Sequence, residues 1–108
     1  MKVEDSYIEY ANGFSKDVIT MKDIQKAIID IADMEENYGA FWVGVIVEGL
    51  DNEITMEAHQ DHMVIVQFAE GKANEFTKQL DSAQEVEQYF TLLMSGNIEE
   101  LKEKMGCI

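Results

Sequence analysis

At 108 residues the chain has the length of one ordinary domain, 1–108, and 46% of its residues are apolar, enough to build a core without disulfide or metal support. Against 22 Asp and Glu stand 8 basic residues, all lysine, for a formal net charge of −14. That balance argues against direct contact with nucleic acid or anionic lipid, and the lack of arginine removes the usual bidentate phosphate clamp.

The single cysteine, Cys107, cannot close an internal disulfide, which points to a reducing compartment. No apolar stretch of signal-peptide length opens the sequence, and Cys107 is not fourth from the end, where prenylation would need it. The longest apolar run, Phe41 to Val47, is far shorter than a membrane span. A cytoplasmic protein is expected.

In chain order, Val3 to Tyr10 carries strand-forming residues and closes on Asn12-Gly13. Thr20-Met-Lys-Asp23 has the hydroxyl and the acid of a helix entry, and Ile24, Ala27, Ile28 and Ile31 follow at helical spacing. This helix is expected to run from Met21 to Asn37. Phe41 to Val47 is apolar on both faces and reads as a central strand. A turn at Gly49-Leu-Asp-Asn52 leads into Glu53 to His59, where apolar and polar residues alternate, and a tight turn at Gln60-Asp61 leads into His62 to Phe68. Ala73 to Leu80 fits either a strand or a helical turn. Ser82-Ala-Gln-Glu85 repeats the capping pattern ahead of a helix that stops at Ser95-Gly96, and Asn97 is placed to cap a last helix with Ile98, Leu101 and Met105. The expected fold is α+β: an antiparallel sheet, made of a three-strand meander plus one or two edge strands, with helices packed on one face.

From Ala27 to Gly71 there is no lysine, while Asp30, Asp33, Glu35, Glu36, Glu48, Asp51, Glu53, Glu57, Asp61 and Glu70 all fall in that stretch. Placing Glu48 opposite Glu53 and His59 opposite His62 sends Val43, Val45, Val47, Ile54, Met56, Ala58, Met63 and Ile65 to the core. The other face then collects Trp42, Ile46, Glu48, Glu53, Thr55, Glu57, His59, His62, Val64, Val66 and Phe68. Aromatic anchors ringed by charge suit a protein-binding surface. The expected partner-binding residues are Trp42, Glu48, Asp51, Glu53, Glu57, His59, Asp61 and His62. The competing expectation is that Trp42 and Phe68 are covered by the N-terminal strand or by Ala73 to Leu80.

Catalysis is not expected. His59 and His62 supply two ligands where a closed zinc site needs four, and with so many acids some carboxylate pair at glycosidase separation arises by chance. Neither a phosphate-binding glycine loop nor a nucleophile elbow is present. No cofactor or metal is expected; a small enzyme using His59, His62 and Glu57 is the weakest of three alternatives.

The capped helix from Met21 to Asn37, the meander from Phe41 to Phe68 and the closing Ser82-Ala-Gln-Glu-Val-Glu-Gln-Tyr-Phe-Thr-Leu-Leu-Met-Ser-Gly96 together resemble the small bacterial immunity proteins of polymorphic-toxin and contact-dependent growth inhibition systems. The tryptophan that often follows the last helix in such families is absent, and the chain ends Gly-Cys-Ile. The resemblance implies an antidote that neutralises a basic protein toxin such as a nuclease domain, and a monomer or weak dimer is expected. The alternative is a nucleic-acid mimic that inhibits a DNA- or RNA-binding enzyme.

Overall fold

The computed structural model describes residues 3–11, 13–32, 39–49, 52–69 and 74–106. Six strands and three helices follow in the order β1 (Val3–Glu9), β2 (Ser15–Asp17), α1 (Met21–Ala32), β3 (Ala40–Val47), β4 (Ile54–His59), β5 (Met63–Gln67), β6 (Glu75–Gln79), α2 (Ala83–Met94) and α3 (Ile98–Lys104). The strands form one sheet in the order β2-β1-β3-β4-β5-β6, and every neighbouring pair is antiparallel. The α+β class and the central place of Phe41 to Val47 are as expected. The ambiguous segment Ala73 to Leu80 yields strand β6, and the N-terminal strand turns back on itself as the β1–β2 hairpin.

The helices cover one face because their apolar stripes match the inward row of the strands. Ile24, Ala27, Ile28 and Ile31 of α1 and Val86, Phe90 and Leu93 of α2 bury against Ile8, Val43, Val45, Ile54, Met56 and Val64. Phe41 stacks on Phe90 at 5.3 Å between ring centroids, joining the central strand to the central helix. Ile98, Leu101 and Met105, which could have offered a dimer helix, are buried in the same cluster.

Local chemistry sets the helix ends. At α1 it is the acid that acts: Asp23 Oδ2 accepts the Thr20 N–H at 2.9 Å, while Lys16 Nζ donates to Asp23 Oδ1 at 2.9 Å and ties β2 to the helix. At α2 the hydroxyl acts, with the Glu85 N–H donating to Ser82 Oγ at 3.2 Å. Asn97 precedes α3 but its side chain does not cap it; Asn97 Nδ2 donates to Ser95 Oγ instead. The described part of the first helix ends at Ala32, and the expected ending at Asn37 lies outside the described residues.

Two register expectations are corrected. Val45 pairs with Ile54, so the link between β3 and β4 is longer than the expected turn, and Glu48 does not face Glu53. The offset is two residues, which leaves every side chain of these strands on its expected face. The second error is one residue and does change faces. Ala58 pairs with Val64, so the β4–β5 loop is Gln60-Asp61-His62, and His62 takes the left-handed conformation at φ 72°. A two-residue turn was expected; the extra left-handed residue is that of a three-residue hairpin. Val64 and Val66 therefore enter the core at 0% exposure, and Met63 and Ile65 turn outward. Phe68 packs against Phe76 at 6.0 Å, beside the core and not on the open face.

Candidate protein-binding face

Among the described residues, no helix or strand covers the face of the sheet opposite the helices. Strand alternation fixes what it displays: Asp5, Tyr7 and Glu9 from β1, Trp42, Gly44 and Ile46 from β3, Thr55, Glu57 and His59 from β4, and Ile65, Gln67, Glu75 and Thr77 from β5 and β6. Trp42 is 40% exposed and Ile46 43%, so the competing expectation of a covered pair fails for Trp42 but holds for Phe68, which packs against Phe76 of the Ala73 to Leu80 segment.

The centre of this face is a notch. Gly44 pairs with Tyr7 on one side and Thr55 on the other, and a Cβ at Gly44 would collide with the Tyr7 ring and with Glu53 Oε1. The absence of a side chain thus lets the Tyr7 ring lie over β3, between Trp42 and Ile46. From there the phenol hydrogen-bonds Glu53 across the central strand. Burial, this hydrogen bond, and the charges of Glu53 and Glu9 all hold the phenol well above its ordinary pKa, so Tyr7 stays a donor. Glu53, in the link before β4, is in this way drawn onto the face.

Acids edge the apolar strip on both sides. Trp42 lies between Glu9 and Glu57, its ladder partners, and Ile46 is paired with Asp5. Carrying the β3–β4 register one residue further sets Glu53 on the other side of Ile46. Glu57 is held by His59, whose Nε2 lies 2.5 Å from Glu57 Oε2. Among the described residues this face has no lysine. Lys16 reaches Asp23, Lys78 donates to the Lys104 carbonyl at 2.8 Å and lies over Tyr89, Lys102 lies over Phe68, and Lys22, Lys26 and Lys104 belong to the helices.

The residues expected to bind a partner are only partly assembled. Trp42, Glu53, Glu57 and His59 come together on the open face. Glu48 is exposed where β3 ends, and Asp51 lies outside the described residues. Asp61 and His62 sit at the other end of β4 and hold the hairpin: Asp61 Oδ1 accepts the Met63 N–H at 3.1 Å, and the His62 carbonyl accepts the Leu80 N–H at 3.0 Å. No three His, Cys, Asp or Glu side chains converge as metal ligands among the described residues.

Asp5, Tyr7 and Glu9 were missed, although the alternation of Asp5-Ser-Tyr-Ile-Glu9 carries the signal: Ser6 and Ile8 are buried while their neighbours face out. No helix among the described residues is long and apolar enough to cross a membrane. No family model matches the sequence, and no curated protein or solved structure matches it either.

Proposed function

We propose that this chain is an immunity-type inhibitor of the cytoplasm, without catalytic activity of its own, that neutralises a basic protein toxin by docking it on the open face of the sheet. One observation carries the reading: the uncovered face combines an exposed Trp42 and Ile46 with Asp5, Glu9, Glu53 and Glu57 and, among the described residues, no lysine. Carboxylates crowded on one surface repel each other within the fold, and a cationic partner relieves that repulsion. Apolar anchors supply affinity while the surrounding charge sets encounter rate and selectivity. That the partner is a toxin, such as a nuclease domain, rests on the resemblance in layout to bacterial immunity proteins.

The test is co-expression with the product of the adjoining reading frame. A basic, growth-arresting product that this chain neutralises and co-purifies with supports the reading. Association should slow steeply between roughly 0.01 and 0.15 M salt, as the screening length contracts from about 30 to 8 Å. Glu53→Lys and Glu57→Lys should slow it further while leaving the fold intact. Unaltered binding by both variants would remove the face from the mechanism.

A further inference from the structure

We propose that the partner element received by this face is a single amphipathic α-helix, lying along β3, with an apolar stripe flanked by basic residues on both sides. The inference rests on the docking role just described and adds the shape and chemistry of what docks.

The layout of the face makes the case. Along β3 run Trp42, the Tyr7 ring over Gly44, and Ile46: a narrow, largely apolar strip one strand wide, with the Glu53 carboxylate reaching in over Gly44 at its centre. By register, Glu9 and Glu57 flank Trp42 and Asp5 and Glu53 flank Ile46, the Glu53 carboxylate leaning inward over Gly44. Four residues of strand span roughly 13 Å, and two inter-strand steps, from β1 to β4, span roughly 10 Å. A helix is about 10–12 Å across with its side chains and covers 13 Å in about nine residues. One helix therefore fills the space between the two acid rows, and its flanks overhang them.

Other occupants fit less well. An extended segment on this strip would hold its own N–H and C=O groups against the Trp42, Tyr7 and Ile46 side chains, whereas a helix satisfies them internally. A helix also separates an apolar stripe from polar flanks by its periodicity alone. A second copy of this chain would bring the same four carboxylates face to face with their counterparts and be repelled. The Tyr7–Glu53 hydrogen bond fixes one acid before binding, which lowers the ordering cost of the complex.

Trp42 is the only tryptophan, so its emission reports occupancy of this strip in the unmodified chain. The probes are two synthetic peptides of identical leucine and lysine content, one patterned as an amphipathic helix, the other strictly alternating. The helical peptide is expected to shift Trp42 emission to the blue and gain helical circular dichroism. The paired variants Asp5→Asn with Glu9→Gln, and Glu53→Gln with Glu57→Gln, should each weaken it about tenfold or more, because both flanks are engaged. Preference for the alternating peptide, or loss in only one of the paired variants, overturns the helix while leaving a basic partner in place. Silence toward both peptides also overturns the helix, whereas the reading as a toxin inhibitor falls only to the co-expression result.

Discussion

The two faces of this sheet are made by the same strands and follow opposite rules. On the helix side, Phe41, Val43, Met56, Val64 and Val66 are fully buried, and each added contact lowers the free energy of the fold. On the open side, Asp5, Glu9, Glu53 and Glu57 gather with no lysine among the described residues of the face and only His59 beside Glu57, an arrangement that costs the folded chain something on its own. Stability is concentrated on one side and charge of one sign on the other. Residues only one position apart in a strand should therefore respond to substitution in different currencies, unfolding for one face and association for the other.

The largest effect should come from the covered face. Phe90→Ala removes the ring stacked on Phe41 and is expected to cost about 3–5 kcal/mol in urea unfolding. At the seam between β2 and α1, Asp23→Ala should cost about 1 kcal/mol. The Thr20 N–H, and then Lys16, hold the Asp23 carboxyl below its ordinary range. Its contribution is therefore present above the unfolded carboxyl pKa of about 3.9 and is lost as pH falls through the lower, folded value. Denaturation of the variant and the parent across that range should show the difference closing at the acid end.

On the open face, Gly44→Ala should change stability by less than about 1.5 kcal/mol, because the obstructing atoms are the ends of the Tyr7 and Glu53 side chains and can swing aside. Its signature is spectroscopic: with the hydrogen bond broken, Tyr7 should titrate closer to the ordinary phenol value of about 10. Stability owed to the raised phenol is complete below that value and is lost as pH climbs through the folded one. The smallest effect is that of Glu9→Gln, within about 0.5 kcal/mol and toward greater stability at low salt. A loss of several kcal/mol from Glu9→Gln would make the open face structural and dissolve the contrast.

Much of the fold was legible because alternation and capping are local. Ile54, Met56 and Ala58 against Thr55, Glu57 and His59 announced β4 and both of its faces, and Ser82 with Glu85 announced α2. Loop geometry was less legible. Gln60-Asp61-His62 holds no glycine to mark the left-handed position, and that one torsion at His62 turned all of β5 over. The candidate site was legible only where a strand carried its own signal. Trp42 and Glu57 were found from β3 and β4, but the other acid row belongs to β1, which joins β3 from far away in the chain. Concentrating on the lysine-free middle also drew in Asp61 and His62, whose hydrogen bonds serve the hairpin.

Val18, at the border of the sheet, has a consequence for how this protein behaves in a crowded solution. Its backbone is left-handed at φ 55°, an uncommon state for a β-branched residue, and its N–H donates to the Ser6 carbonyl at 2.8 Å. The chain leaves the ladder there, after only the three residues of β2, and turns toward α1. That rim offers a neighbouring molecule a row of only three residues, too short to template edge-to-edge pairing on this side of the sheet.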